Sequence, residues 1–321
     1  MRELMVIEAP SVLGLRPSGV QDLPEALRDA GLLDRLGAVV AMGVPPLMGV
    51  PPLERIREWG RSREWGRVEA AAYDPRRDAD TGVLNPVGIA RYSVELADAV
   101  GGVLDRGGFP VVLGGDCSIL LGNLLALRRR GRYGLLFLDG HTDFYQPSAE
   151  PTGEVASMEL ALATGRGPGL LTDLEGRGPL LRDEDVVALG FRDTEESTAA
   201  GMQPLPSGLH AFDLDAVRAL GADAAARQAV ERLTRGGSGG YWVHLDVDVL
   251  DDAVMPAVDY RIPGGLTWSE LESVLRTALA GERAVGFDVT IFNPRLDPDG
   301  SIAVRLTECL CRGLSARRTA P

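Results

Sequence analysis

Seven short apolar runs punctuate the chain, at 4–8, 38–42, 110–113, 134–138, 186–189, 241–247 and 284–291. Each is long enough for a buried strand and too short for a core helix. Between them fall stretches with helical spacing, at about 22–31, 88–105, 118–130, 157–164, 223–234 and 269–280. Strand followed by helix, repeated, builds a parallel sheet with helices on both faces. Such sheets hold their ligands beyond the carboxyl ends of the strands, so the chemistry belongs in the loops that follow them.

With 321 residues, 45% of them hydrophobic and 25% charged, the chain can bury a large core. No low-complexity linker divides it, so a single domain over 1–321 is expected. A net charge of -13 leaves no electrostatic footprint for nucleic acid. All 33 basic residues are Arg, which excludes a Schiff-base lysine, a phosphate-loop lysine and a lysine general base. Cys117, Cys309 and Cys311 have neither metal-knuckle nor secreted-framework spacing, which favours a reducing compartment. The opening residues enter a strand-like run without the apolar core and small-residue cleavage site of a secretory leader, so a cytoplasmic location is expected. The longest uncharged run, 36–53, contains Pro45, Pro46, Pro51 and Pro52 and is no membrane helix. Between 43 and 67 two short sequences each occur twice, Gly-Val-Pro-Pro-Leu and Arg-Glu-Trp-Gly-Arg. Two copies are too few for a solenoid, and 43–67 reads as a surface insertion.

Three strand ends carry chemically able residues. After the run 134–138 comes Asp139-Gly140-His141-Thr142-Asp143, in which Asp139, His141 and Asp143 fall in a two-residue register and share a side if the strand stays extended. At the end of 241–247 stands His244-Leu245-Asp246-Val247-Asp248, with His244, Asp246 and Asp248 in the same register. Carboxylates at the end of a core strand are costly unless their charge is compensated, and a divalent cation is the strongest local compensator. The bland readings are a polar loop capping the next helix for the first cluster and a core histidine for His244. Gly114-Gly115-Asp116-Cys117-Ser118 follows 110–113; by itself it is a tight turn with a helix cap, and beside the other two it adds a thiol at a third strand end. His210 has no such context and reads as structural.

In order along the chain, these three segments resemble the ureohydrolase superfamily of arginase, agmatinase and formimidoylglutamase, whose motifs read Gly-Gly-Asp-His-Ser, Asp-Ala-His-x-Asp and Ser-x-Asp-x-Asp-x-x-Asp-Pro. The opening segment 6–24 and Asn293-Pro294 extend the likeness over essentially the whole chain. The resemblance implies a three-layer α/β/α fold around a central, mostly parallel eight-stranded sheet. It also implies two Mn²⁺ ions bridged by Asp139 and Asp246, with Asp143, His141, Asp248 and Cys117 completing the two shells. Two such ions about 3.5–4 Å apart acidify a bridging water and polarise the substrate, so the implied reaction is attack of a metal-bridging hydroxide on a guanidinium carbon.

Three positions depart from the family pattern. Cys117 replaces a histidine ligand: either it ligates, shifting preference towards Zn²⁺ or Fe²⁺, or it is a buried thiol without a metal. Ala156 replaces the histidine assigned to proton transfer, a loss typically worth about 10²- to 10⁴-fold. His244, standing where the family has Ser or Thr, is the candidate substitute. By the ungapped register Ile291 replaces a guanidinium-binding Glu; Asp288 takes its place if the strand end is shifted, and is otherwise an ordinary strand-edge carboxylate. His244, Asp143 and Asp288 are thus the candidate catalytic groups. Glu154 and Asp288 are the candidate substrate contacts, and Glu154 would attract a cation and repel an α-carboxylate.

The expected function is metal-dependent hydrolysis of a C–N bond in a small guanidino compound, with N-hydroxylated or otherwise substituted guanidines favoured by the missing proton-transfer histidine. The alternative is an inactive or repurposed relative serving as a binding or regulatory subunit. A distantly related zinc deacetylase ranks last, because such sites need tandem histidines and the chain has three His in all. By resemblance the protein is a homo-oligomer, a trimer or hexamer, with no nucleic-acid or membrane partner.

Overall fold

A computed structural model describes residues 2–37, 39–40 and 66–319. Eight strands form one sheet: β1 (Leu4–Ala9), β2 (Val39–Val40), β3 (Phe109–Gly114), β4 (Gly134–Leu138), β5 (Val186–Leu189), β6 (His210–Phe212), β7 (Tyr241–Asp246) and β8 (Ala284–Thr290). Their order is β2-β1-β3-β8-β7-β4-β5-β6, and every pairing is parallel. Strands β3, β8, β7 and β4 are therefore contiguous at the middle of the sheet. Three of the loops singled out in the sequence open from this one edge.

Side chains alternate along these strands and supply two cores. On one face Val112, Phe137 and Trp242 pack beneath the helices Pro86–Asp105, Leu120–Arg128 and Glu159–Ala163. On the other, Val111, Leu136, Val243 and Phe287 meet Ala222–Arg235, Trp268–Ala280 and Ser301–Thr319. The result is three layers, α/β/α. Local signals set the helix starts: Thr267 and Glu270 form a reciprocal capping box before Trp268. The Asp297 carboxylate accepts from the amides of Ile302 and Ala303 at the start of the last helix.

Six of the seven expected strands are present to within a residue or two. The second is described only at Val39–Val40, where it pairs with Met5 and Val6. Strand β6 was not expected: it is three residues long, and His210 and Ala211 are exposed on it, so it carries no apolar run. His210 stands edge-on against Phe212, 4.8 Å between ring centroids. The helix Ser301–Thr319 was not expected either, because charged residues interrupt its apolar positions. The insertion expected at 43–67 lies outside the described residues except for its last two positions. There the Gly66 carbonyl accepts from the Glu8 amide, and Arg67 pairs with the Glu8 carboxylate at 3.1 Å. No helix among the described residues is long and apolar enough to cross a membrane.

Candidate metal centre

The turn after β3 is positioned by Asp116. Its buried carboxylate accepts from the Ser118 amide, from Ser11 Oγ and from the Gly14 amide, which ties the β3 turn to the loop after β1. Cys117 follows, wholly buried, with Sγ donating to Asp246 Oδ2 at 2.9 Å and lying 3.1 Å from Thr290 Oγ1. After β4, Asp139 turns its Oδ1 back onto the His141 amide at 2.6 Å and leaves Oδ2 buried without a partner. At the end of β7, Asp246 Oδ1 accepts from the Asp248 amide, and Asp248 Oδ1 accepts from the Gly140 amide at 2.9 Å. Asp248 Oδ2 meets His141 Nδ1 at 2.8 Å. A Cβ at Gly140 would lie 2.7 Å from the Asp248 carbonyl oxygen, so only glycine lets the two loops close this far.

Two residues earlier on each strand, a row of side chains crosses the sheet. The register sets His244 beside Phe137 on β4 and Asp288 on β8. Phe137 stacks on the imidazole at 4.9 Å, and Asp288 Oδ2 holds His244 Nδ1 at 2.6 Å. Asp288 Oδ1 accepts from Asn123 Nδ2 and from the Trp242 indole N–H. An Nδ1–H donated to a carboxylate leaves the lone pair on Nε2, and that atom is buried without a partner.

Glu159, the first residue of the helix Glu159–Ala163, projects into the same space. It is fully buried beside Asp143, and neither of its oxygens has a hydrogen bond of ordinary geometry. Two groups of potential metal-ligand atoms result, each lying within 4.8 Å of one another: Cys117, Asp139, Glu159 and His244 in one, and Asp139, His141 and Asp248 in the other. Asp139 belongs to both.

The charges oppose one another. Burial first, then repulsion by Asp143 and Asp246, pushes the Asp139 carboxyl well above the usual carboxylate range. Burial does the same to Asp143 and Glu159, to Asp246, which also faces Asp248, and to the Cys117 thiol, which faces Asp246. His141 is raised to about 9: burial works against its charge, and the Asp248 contact outweighs burial. Asp248 ends below the usual range because the opposing His141 more than offsets its burial. Such a concentration of buried acceptors is stable with its protons on or with cations among it.

Acidic donors thus gather at the carboxyl ends of central parallel strands, with one aspartate shared between two groups. A sequence model described as the arginase family matches residues 55–314. The chain belongs to the arginase family, and with it to the hydrolases of C–N bonds in linear amidines. It is similar to the arginase of Bacillus caldovelox, 29% identical over 314 residues, covering 95% of this chain and 97% of the relative. To the arginase of Staphylococcus aureus strain MRSA252 it is 26% identical over 299 residues, covering 93% and 92%. The native B. caldovelox arginase structure at pH 5.6 superposes with a TM-score of 0.79 at 25% identity, covering 98% of each chain.

Against the arginase pattern, Cys117, Asp139, His141 and Asp248 fall in the two ligand groups. Asp143 and Asp246 border them, Asp143 against Glu159 and Asp246 under the Cys117 thiol. Asp288 requires correction. It is wholly buried with both oxygens bonded inside the sheet, so it contacts no substrate and instead orients His244. His244 is likewise fully buried, held between Phe137 and Asp288 with Nδ1 engaged, so that Nε2 is the ring nitrogen left without a partner. Ile291 is buried in the left-handed region at φ 72°, a strained conformation for a β-branched residue, and offers no carboxylate. Glu154 is already engaged, by the Tyr260 hydroxyl at 2.6 Å and by Arg16 at 3.2 Å. Sequence reasoning missed Glu159, whose one signal was a lone carboxylate inside the apolar stretch 158–163.

Proposed function

We propose that this arginase-family chain is a metal-dependent amidinohydrolase that hydrolyses a C–N bond of a substituted guanidino compound. The observation that carries the reading is the pair of donor groups sharing Asp139, in which buried, partnerless oxygens and an imidazole nitrogen converge. Those atoms fit divalent cations, since carboxylate, imidazole and thiolate are their ordinary ligands. Bound there, two cations would supply Lewis-acid polarisation of the substrate and a nucleophile from water at neutral pH.

The remaining steps fall to the chain. The His141 amide anchors Asp139 Oδ1, which leaves Oδ2 buried and free to ligate. The Gly140 amide orients Asp248, which in turn faces His141. Position 156 offers a methyl group and no proton donor, so a leaving amine departs with less help. That favours a guanidine made easier to expel by N-hydroxylation or acylation. Glu154 keeps negative charge near the loops through Arg16 and Tyr260, which disfavours a substrate carboxylate at that point. Burial pushes Glu154 upward, and the Tyr260 and Arg16 contacts oppose this.

The loss of the family histidine at 156 favours one second reading, a binding or regulatory relative without turnover. A panel of guanidino compounds assayed with Mn²⁺, Zn²⁺, Fe²⁺ and Ni²⁺ separates the two. Release of urea, hydroxyurea or ammonia from any member supports the enzyme, and no turnover with bound metal supports the second reading. We also propose a single domain, a cytoplasmic location and a homo-oligomer; light scattering of the purified chain tests the last.

A further inference from the structure

Cys117, Asp139, Glu159 and His244 arrive from four places: the turn after β3, the loop after β4, the helix Glu159–Ala163 and the interior of β7. Their donor atoms lie within 4.8 Å of one another. A tetrahedral shell with ligand distances of about 2.0–2.3 Å has edges of roughly 3.3–3.8 Å. The donors therefore need to draw together by at most roughly 1–1.5 Å to complete such a shell. Three of the four donors are conspicuous for what they lack. Glu159 is wholly buried against Asp143 with neither oxygen in a hydrogen bond of ordinary geometry, His244 is wholly buried with Nε2 unpartnered, and Asp139 Oδ2 is buried and unpartnered.

We propose that this chain binds one cation through its own donor set, Cys117 Sγ, Asp139, Glu159 and His244 Nε2, and that this set selects Zn²⁺ over Mn²⁺. The inference rests on the reading of the centre as a cation site and goes beyond it by assigning Glu159 and His244 as ligands. One thiolate, one imidazole and two carboxylates suit a borderline-soft ion that accepts four-coordination. Mn²⁺ has no preference for sulfur and wants more oxygen ligands. The second group, Asp139, His141 and Asp248, contains no sulfur and suits the harder ion.

The surroundings are built for ligation. Asp288 accepts a hydrogen bond from His244 Nδ1–H in a 2.6 Å contact, which fixes the tautomer that presents Nε2. Phe137 holds the ring plane by stacking. Asp288 is itself fastened by Asn123 and Trp242, so the imidazole has little freedom left. Cys117 gives up its thiol proton to solvent on ligation and exchanges its bond to Asp246 for one to the ion. A second reading of Glu159, a protonated acid beside Asp143, is an outcome of the test.

The experiment strips the purified full-length protein with a chelator and reloads it with Co²⁺ as a spectroscopic stand-in for Zn²⁺. Ions per chain are counted by elemental analysis. A near-ultraviolet thiolate-to-Co²⁺ charge-transfer band, lost in Cys117→Ser, is expected. So is retention of one Zn²⁺ per chain in excess Mn²⁺, with Zn²⁺ affinity falling by at least about 10-fold in both Glu159→Gln and His244→Asn. Two bound ions with no charge-transfer band overturn the donor set and leave the amidinohydrolase reading standing. Unchanged Zn²⁺ affinity in both Glu159→Gln and His244→Asn does the same, and marks Glu159 as a protonated acid. No bound ion under any loading overturns both. The wild-type spectrum needs no variant, so a variant that fails to fold does not remove the test.

Discussion

Asp288 shows how a residue can matter to a centre without touching it. Its carboxylate collects His244, Trp242 and Asn123 in a region closed to bulk solvent. Asp288→Asn exchanges one acceptor oxygen for an NH₂ group that faces N–H donors. The expected loss is about 1–3 kcal/mol of stability, read by urea unfolding. Metal affinity is expected to fall by about 10- to 100-fold as well, because the imidazole loses its orienting partner. Unchanged affinity would mean that Nε2 is not a ligand. Two residues along, at Gly286, a Cβ would stand 1.9 Å from the Trp242 ring. Gly286→Ala should therefore cost about 1–3 kcal/mol by overpacking and displace the indole from Asp288. Calorimetry reads the first effect, and indole fluorescence reads the second.

At the scale of strands and loops, the centre depends on turns locked to one another across the sheet edge. Asp116 is the clearest fastening, since one carboxylate accepts from the loop after β1 and from the turn after β3. Asp116→Ala leaves those donors buried and unmet, with an expected loss of about 2–4 kcal/mol on urea unfolding. The β3 turn should loosen with it, and alkylation of Cys117 by a small thiol reagent should become faster than in the parent protein. This scale was largely legible in the sequence: strands buried on both faces write themselves as continuous apolar runs, and the two-residue registers of 139–143 and 244–248 marked the ends that hold donors. What escaped was whatever depends on partners distant in sequence. Nothing near Glu159 in the chain marks it as facing Asp139. Asp288 looked available because its bonds to Trp242 and His244 cross between strands, 46 and 44 residues apart in sequence. Strand β6 and the helix Ser301–Thr319 carry too little uninterrupted apolar pattern to announce themselves.

For the molecule as a whole, cations placed among β3, β4, β7 and the helix Glu159–Ala163 would cross-link both halves of the sheet. An ion present at a hundred times its dissociation constant adds about 2.7 kcal/mol to the folded state. Zn²⁺ is thus expected to raise the melting temperature by several degrees over the chelated protein, and an Asp139→Ala variant should lose that response, since Asp139 serves both groups. The resemblance read from three motifs supplied the architecture and the location of the centre. It did not bring His244 and Glu159 together with Cys117 and Asp139, because these residues come from separate elements and meet only in three dimensions. The most direct test is anomalous diffraction from crystals of the protein grown with Zn²⁺ and Mn²⁺, collected at both absorption edges. The account predicts two peaks about 3.5–4 Å apart on either side of Asp139. The zinc peak should be ligated by Cys117, Glu159 and His244. A centre with no anomalous peak, or with both ions held without Asp139, would contradict it.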